Sequence, residues 1–423
     1  MALASLFSRE GHRVTSVLVF LFLASLLSTK SGYSYVLGVL SLYSFWQLKG
    51  PRIAFERSEG WVLVCMGLFA LLGGIAAAWH GDPADAFEVP AKFALGMVLI
   101  HCCMKQPPQP AALWSGLVVG AVSGLAVAYW KMYQIGVYKA FGFTGAIQFG
   151  NLSLTMGALL VVALCWTLRN PCENRRFWLG LLAAGVTCGL MGSYFSGTRG
   201  GWIATPVFLM LFLLSYMRRG NLLSCILASI AIIASGAIVT LYSPVLQERI
   251  QQVSHDLSEY KDEGVNSSSS LGARFAIWRA SIDLLKEKPI LGWGEVRFRQ
   301  ELHERADEGL LGQVPASLAN THNTFLEVWV MYGGLTLIAL IGFLISSAWH
   351  FLSYLRDPDA IVRVYALAGV CLVLGYVVYS QSQIMLIRNN TLMFFLLILA
   401  VLMGLLRQRK SNMPTKSAAT AFC

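Results

Sequence analysis

The chain is too apolar and too sparsely charged to be a soluble globular protein. Of its 423 residues, 56% are hydrophobic and 13% are charged, whereas soluble domains carry about 25% charged residues. Together with a mean hydropathy of +0.61, this predicts an all-α integral membrane protein. The formal net charge of +10 does not indicate nucleic acid binding, because the basic residues lie mostly in loops on one side of the predicted membrane.

We predict about 12 membrane-spanning helices, since an apolar stretch of about 20 residues crosses the hydrocarbon core as a helix. The first lacks a small-residue cleavage site with a polar sequel, so we expect a retained helix and not a removed signal peptide. The spans are predicted at 14–29, 32–48, 60–79, 87–104, 111–133, 146–168, 177–196, 201–217, 222–243, 322–350, 363–384 and 390–407. Residues 1–243 thus hold spans 1–9, residues 321–410 hold spans 10–12, and residues 411–423 form a mobile tail.

The distribution of Lys and Arg predicts the orientation of the chain. Basic residues occur in alternate loops, whereas the opposite short loops are poor in them and one, at 80–85, is acidic. The basic segments hold Arg9 and Arg13; Lys49, Arg52 and Arg57; Lys105; Arg169, Arg175 and Arg176; Arg218 and Arg219; Arg356 and Arg363; and Arg407, Arg409, Lys410 and Lys416. We therefore predict that both termini are cytoplasmic and that the long segment 244–320 faces outward.

Residues 244–320 form a polar segment between spans 9 and 10, and we predict that it folds into helices. Apolar side chains recur at three- and four-residue spacing within 244–263 and 271–288, as expected of helices that bury one face. A third helix, heavily charged, is predicted at 295–308. Four consecutive serines indicate a flexible connector at 264–270, and 290–294 forms a tight apolar turn. We expect this segment to cover the membrane-embedded core as a lid.

His322 lies where the polar segment re-enters the membrane, with Asn and Thr on both sides. A partly shielded His with a pKa near neutrality can accept a proton from a reacting hydroxyl. The alternative is a structural role at the start of span 10, with Asn320 or Thr321 as the helix cap. The sequence leaves both roles open.

Arg199 lies in a glycine-rich break between spans 7 and 8, at 197–201, on the outward side. Glycine permits close approach of the backbone, and a helix N-terminus with an Arg favours an anion such as phosphate. The alternative is an interfacial Arg whose side chain reaches the lipid head groups.

Three further arginines extend this set of outward charges. Arg274 and Arg279 open the second helix of the polar segment, where an Arg often only faces solvent. Arg388 is the only charge in the loop between the last two spans, with the same lipid-facing alternative. Because Arg199, Arg274, Arg388 and His322 map to one side of the membrane, they would suit a polyanionic donor with an adjacent base.

No pattern in the sequence predicts a metal site or a cofactor. None of the nine Cys lies in the polar segment, and there is no CxxC or Cys/His ligand spacing. Asp357 and Asp359 resemble the paired carboxylates of sugar-nucleotide transferases, but we prefer a turn or helix cap on the cytoplasmic side. Asp82 and Asp85 form an acidic outward loop that either binds a cation or is simply solvated. The phosphate-binding loop of ATP-driven transporters is missing from the sequence.

The chain resembles bacterial O-antigen ligases and polymerases. The resemblance rests on 320–327 (Asn-Thr-His-Asn-Thr-Phe-Leu-Glu), 274–278 (Arg-Phe-Ala-Ile-Trp), 289–294 (Pro-Ile-Leu-Gly-Trp-Gly) and 197–201 (Gly-Thr-Arg-Gly-Gly). The predicted spans and the large loop before the tenth fit the same family. The resemblance covers essentially the whole chain, although only the loop and its edges are specific.

This resemblance implies transfer of a polysaccharide from undecaprenyl pyrophosphate to a sugar hydroxyl of the lipid A–core oligosaccharide, in lipopolysaccharide biosynthesis. The reaction would occur at the periplasmic face of the bacterial inner membrane, by a metal-independent, inverting glycosyltransferase of the GT-C type without a cofactor. The family's essential His corresponds to His322, and its two Arg correspond to Arg199 and Arg274. The supporting residues predicted beside them are Arg388, Asn323 and Arg279.

Two kinds of alternative remain. Within the family, O-antigen polymerases and protein O-oligosaccharyltransferases share these motifs, and a polymerase is the second choice. Outside it, the main competitor is a flippase, which transports lipid-linked sugars. Polar groups within the predicted spans are sparse and the candidate residues cluster at the outer edge, which favours an enzyme over a transporter.

Overall fold

The computed structural model describes residues 2–49, 53–136, 139–216 and 244–412, and within them it contains α-helices, short 3₁₀ turns and loops but no β-strand. The first half comprises α1 (Ala2–Ser25), α2 (Gly32–Gln47), α3 (Arg57–His80), α4 (Glu88–Lys105), α5 (Pro110–Ile135), α6 (Ala146–Arg169), α7 (Arg175–Ser196), α8 (Arg199–Trp202) and α9 (Ala204–Tyr216). The second comprises α10 (Pro244–Glu263), α11 (Ser270–Glu287), α12 (Glu295–Asp307), α13 (Gln313–Ala316), α14 (Thr324–Leu352), α15 (Ala360–Tyr379) and α16 (Asn389–Ser411). The prediction of an all-α fold is confirmed for this part of the chain.

Eight helices of the described part are long and apolar enough to cross a membrane, namely α3, α4, α5, α6, α7, α14, α15 and α16. Two shorter apolar helices, Gly11–Ser25 and Gly200–Ser215, correspond to predicted spans 1 and 8. The 16-residue α2 corresponds to span 2. Span 9, predicted at 222–243, and residues 413–423 of the predicted tail lie outside the described residues. A polytopic membrane protein is therefore supported, and the count of about 12 spans stays a prediction.

The bundle is arranged around α16, which is buried along nearly its whole length. It packs against α4 and α15, and α15 in turn packs against α6, α9 and α14. Large apolar side chains such as Trp61, Leu71 and Trp79 of α3 are instead exposed on the outer surface of the bundle. In water this surface would be unfavourable, so its composition fits contact with lipid.

One end of the bundle carries ion pairs that fasten the last helix. The guanidinium of Arg407 donates to the Glu59 carboxylate at 2.7 Å, and Arg409 donates to Asp359 at 2.7 Å. Asp359 also accepts hydrogen bonds from the backbone N–H groups of Ile361 and Val362, so it caps α15. The preferred interpretation of this carboxylate as a helix cap is confirmed.

The polar segment lies at the opposite end of the bundle, and its helices agree closely with prediction. The bounds of α10 are those predicted, while α11 starts and ends one residue earlier than expected. The serine connector, predicted to be flexible, is held by the Glu259 carboxylate, which accepts from Ser267 Oγ and from the N–H groups of Ser268 and Ser269. Ser269 in turn caps α11 by accepting from Gly272 N.

A break in α14 at Gly333 receives the apolar turn at 289–294. Gly333 adopts φ 82° and ψ 171°, a backbone conformation open only to glycine. The interrupted helix bonds to the turn instead: Gly334 N donates to Pro289 O at 3.0 Å, and Trp293 N donates to Val330 O at 2.7 Å. A Cβ at position 333 would collide with the carbonyl oxygen of Ile290. The polar segment is thereby locked onto a membrane helix.

The acidic loop at 80–85 makes a second attachment. The carboxylate of Asp82 accepts from the backbone N–H groups of Glu295 and Val296, at 3.1 and 3.3 Å, and so caps α12. His80 Nε2 lies 2.9 Å from the carbonyl oxygen of Leu291. The Asp82 side chain therefore anchors the polar segment, a role that the sequence did not indicate.

Candidate active site

His322 lies in the loop at 317–323, between α13 and α14, and the polar residues next to it form hydrogen bonds that shape this loop. Asn323 Oδ1 accepts from Phe325 N at 3.0 Å and Leu326 N at 3.1 Å, so Asn323 is the N-cap of α14. The prediction that Asn320 or Thr321 would be the cap is wrong, because the helix starts at Thr324, later than expected. Asn320 Oδ1 accepts from His322 N at 3.0 Å. The polar neighbours thus have structural roles, and the imidazole is not the cap.

Three elements hold this loop from different directions. From α14, the buried carboxylate of Glu327 accepts from Thr321 N at 2.7 Å. From α11, the indole N–H of Trp278 donates to Thr321 O at 2.6 Å. From the segment before α16, Ser380 O accepts from Thr324 N at 2.8 Å. The residues on either side of His322 are therefore fixed by the packing of the whole outer end.

The His322 backbone has φ +54°, in the left-handed region. This conformation costs a non-glycine residue about 1–3 kcal/mol and persists only where the surroundings impose it. Within the described part of the protein, the buried Nδ1 atom of His322 has no hydrogen-bond partner. A strained backbone and an unsatisfied ring nitrogen on one residue are typical of a functional position.

The charges around His322 favour its neutral form. Burial, which has the largest effect, and the guanidinium groups of Arg274 and Arg388 together lower its pKa to about 4. Both arginines therefore lie within electrostatic reach of the imidazole. At neutral pH the ring is uncharged and keeps a nitrogen lone pair for a proton.

Arg274 and the glycine-rich break meet in one cavity of about 420 Å³. Gly197, Thr198 and Gly200 line it from the break, Arg274 lines it from α11, and Ser382 from the loop before α16. The Arg199 backbone begins α8 between two of these residues, but its side chain is not among those described. The sequence prediction that 197–201 and Arg274 serve one site is consistent with this shared cavity, which we call the first cavity.

The two glycines after Arg199 allow close packing at the wall of the first cavity. A side chain at Gly200 would meet the Ser382 hydroxyl, and one at Gly201 would meet the amide oxygen of Asn151. The break can therefore approach both α6 and the loop before α16 only because these positions lack a Cβ.

Lys139 also lines the first cavity, and it was missed in the sequence. It lies in the loop between α5 and α6, where Ala140 N donates to Phe195 O at 2.8 Å and so joins the loop to α7. The signal in the sequence was a Lys in a loop predicted to face outward, where basic residues are otherwise few. Among the described side chains that line the first cavity, Lys139 and Arg274 are thus cationic and Asp256 is anionic, so these groups together carry one net positive charge.

A second cavity, of about 380 Å³, is lined by residues that precede and follow His322 in the chain. Asn320 and Glu327 line it from the loop and α14, and Arg388 lines it from the start of α16. The remaining charged side chains in its wall are Asp85, Glu88, Glu295 and Arg299. Arg388 lines the second cavity and Arg274 lines the first, and both lower the His322 pKa, so the imidazole lies within electrostatic reach of one arginine from each cavity.

Arg279 does not join this group. It is exposed and lines a separate groove on the far face of α11. Of the residues predicted for the site, the structure therefore brings His322, Arg274 and Arg388 together, gives Asn323 a capping role beside them and leaves Arg279 apart. Among the side chains that the structure describes, no group of three or more His, Cys, Asp and Glu could hold a metal ion.

Comparison with known proteins gives two matches. Residues 184–341 match the family model described as O-antigen ligase, a region that includes the glycine-rich break, the polar segment and the His322 loop. A protein of Haemophilus influenzae, described as an uncharacterized protein, is 25% identical over 395 residues, which are 92% of this chain and 97% of that protein. The first match confirms the resemblance seen in the sequence motifs.

Proposed function

We propose that the chain is a member of the O-antigen ligase family, whose model matches residues 184–341, and that it transfers a polysaccharide from undecaprenyl pyrophosphate to a sugar hydroxyl of the lipid A–core oligosaccharide. The observation that carries this proposal is the neutral His322, with its left-handed backbone, whose pKa is lowered by one arginine from each of the two cavities. The enzyme would be an inner-membrane glycosyltransferase of the GT-C type, with its cavities open to the periplasm and both termini in the cytoplasm.

The first cavity is the site proposed for the donor pyrophosphate. Negative charge on the leaving pyrophosphate increases as its bond to the anomeric carbon breaks, so preorganised cations lower the barrier. Arg274 offers a planar fork that pairs with two phosphate oxygens, and Lys139 adds a second positive charge. Arg199, carried over from the family, would be the third. With this much positive charge supplied by side chains, we propose a metal-independent reaction.

The second cavity is the site proposed for the acceptor. Its carboxylates can accept hydrogen bonds from sugar hydroxyls, and Arg388, which lines it, also lowers the His322 pKa. With the acceptor in one cavity and the leaving pyrophosphate in the other, the proposed reaction is a single displacement with inversion.

In the proposed step, the acceptor oxygen attacks the anomeric carbon while the bond from that carbon to the phosphate oxygen breaks. The bonding electron pair leaves with undecaprenyl pyrophosphate, and the hydroxyl proton passes to Nδ1 of His322. General-base catalysis of this kind contributes about 10²–10⁴ in rate. Because the bound pyrophosphate would offset the charge of Arg274, the His322 pKa would rise when the donor binds, which makes the imidazole a stronger base when the acceptor reacts.

The test is a transfer assay with purified protein in detergent, undecaprenyl-pyrophosphate glycan as donor, lipid A–core as acceptor, and EDTA present. Wild type and His322→Ala are compared with His303→Ala, which removes an exposed His from α12 of the same segment. We expect core-linked product from wild type and His303→Ala but not from His322→Ala.

Other products of this assay would assign a different function. A longer lipid-linked glycan without core-linked product would indicate a polymerase, and glycan attached to an added protein acceptor would indicate a protein O-oligosaccharyltransferase. An intact donor in every reaction would contradict the enzyme and favour a transporter of lipid-linked sugars. Loss of wild-type activity on addition of EDTA would contradict the metal-independent mechanism.

A further inference from the structure

An aromatic groove of about 500 Å³ runs along the outer face of α11. Tyr260, Phe275 and Trp278 line it as consecutive rings, with centroids 5.4 Å apart for Tyr260 and Phe275 and 5.6 Å apart for Phe275 and Trp278. Ile282 extends the apolar surface and is 50% exposed. Arg279, Asp283 and Lys286 form its polar rim.

This groove is connected to the candidate active site through α11. Trp278 lines the groove and also donates to the carbonyl oxygen of Thr321, the residue before His322. Arg274, which lines the first cavity, precedes Trp278 by four residues, or about 6 Å along the helix axis. A ligand that leaves the first cavity along α11 would therefore meet the groove next.

The chemistry of the groove suits a sugar chain. A pyranose ring presents C–H faces that pack against aromatic rings, while its rim of hydroxyls needs charged or polar partners. The groove offers both, with three rings for the faces and the Asp283–Lys286 pair, whose charged atoms lie 2.6 Å apart, at the edge. A polyprenyl chain would make no use of the charged rim.

We propose that this groove, lined by Tyr260, Phe275 and Trp278, binds the sugar residues of the donor glycan that follow the pyrophosphate. This inference rests on the proposed function, because it takes the first cavity as the pyrophosphate site. By binding these sugars, the groove would keep the polysaccharide on the enzyme and orient its reducing-end sugar toward His322.

The test measures binding by calorimetry to the full-length protein in detergent. The probe is the oligosaccharide released by mild acid from the lipid-linked glycan, which carries neither lipid nor phosphate. Phe275→Ala and Tyr260→Ala are expected to weaken its binding about tenfold, equal to about 1.4 kcal/mol. Leu310→Ala, which truncates an exposed apolar side chain of the same segment outside the groove, is expected to bind as wild type does.

Inorganic pyrophosphate serves as the second probe. Its affinity is expected to be equal in wild type and in both groove variants, which would also show that these variants are folded. In the transfer assay the groove variants are expected to raise the donor KM and leave kcat unchanged. Equal oligosaccharide affinity in wild type and groove variants, or no binding to wild type, would overturn the groove proposal.

The outcomes separate the groove from the proposed function. If wild type transfers glycan to the core but the groove variants bind and react as wild type does, the groove proposal is wrong and the ligase stands. If oligosaccharide binding depends on Phe275 and Tyr260 but no core-linked product forms, the groove is a glycan site in a protein of different function.

Discussion

The carboxylate of Glu327 is the group through which α14 fixes the His322 loop, so Glu327→Leu should impair transfer. Glu327 is 2% exposed and accepts from Thr321 N at 2.7 Å. Leucine fills much of the volume but leaves this N–H without an acceptor, at a cost of about 1–3 kcal/mol. Without this hydrogen bond, the loop would relax, because the left-handed backbone conformation of His322 is unfavourable for a residue other than glycine. If about 1–3 kcal/mol appears in the activation barrier, transfer slows by about 5-fold to 150-fold.

Glu327→Gln separates positioning from a general structural effect, because the glutamine amide oxygen still accepts from Thr321 N. We expect a kcat within about threefold of wild type for Gln and the full loss for Leu. Both variants should keep the wild-type affinity for inorganic pyrophosphate, since Glu327 does not line the first cavity. A Leu variant that folds, binds pyrophosphate and turns over at the wild-type rate would refute the assignment of Glu327 as a positioning residue.

Three further predictions test the charges and the attachment of the polar segment. Arg274→Lys, and likewise Arg199→Lys, should lower kcat/KM at least about tenfold, because Lys keeps the charge but loses the planar fork; steady-state kinetics at the wild-type level would contradict this. As the pH is lowered, kcat/KM should fall only below about pH 4, where the neutral His322 of the free enzyme becomes protonated. The value of kcat should fall at a higher pH, because bound donor raises the His322 pKa. Inflections at the same pH in both profiles would exclude an effect of the donor on this pKa. Gly333→Ala should lower the free energy of unfolding by about 2–4 kcal/mol, because it strains the backbone and breaks the contacts with the apolar turn. Gly74→Ala, at an open helical position, is the control and should stay within about 1 kcal/mol of wild type. Thermal-shift measurements compare the two variants.

Local sequence patterns were sufficient for the helices of the polar segment. The bounds of α10 were predicted from its apolar spacing and from the connector that follows it, and the structure agrees: Pro244 occupies the first position of the helix, and Gly264, at φ +58°, follows its end. For α11 the error of one residue arises from Ser269, whose capping hydrogen bond is a local feature that the apolar spacing does not contain.

Contacts between distant segments were not predictable in the same way. Asp82 caps a helix that starts 213 residues later in the chain, and no local pattern indicates that pairing. Glu327 looked like an isolated polar group inside a span, and only the folded loop shows that it accepts from Thr321 N. Lys139 lies in the loop between α5 and α6 and Arg274 lies in α11, far apart in sequence, and they share a cavity only after the bundle forms. The sequence therefore predicted individual residues with distinctive side-chain chemistry, but it did not predict which distant residues they contact.

The backbone of His322 allows its two possible roles to be separated by one substitution. If the residue served only to start α14, a side chain that tolerates φ +54° would do as well, and asparagine, like histidine, is several-fold enriched in that region. His322→Asn should therefore leave the thermal midpoint close to that of wild type, because both side chains tolerate this backbone conformation. Transfer should nevertheless be abolished, since an amide nitrogen cannot take the hydroxyl proton at neutral pH.

A variant that keeps its thermal midpoint but loses transfer activity is the result expected if His322 is retained for its chemistry. Thermal shift and the transfer assay on the same His322→Asn preparation measure both quantities. A variant that loses stability in proportion to activity would mean that the imidazole packs as part of the loop, and the base would have to be sought elsewhere in the two cavities. A variant that is as stable as wild type but inactive would leave proton transfer, or orientation of the acceptor hydroxyl, as the function of the ring.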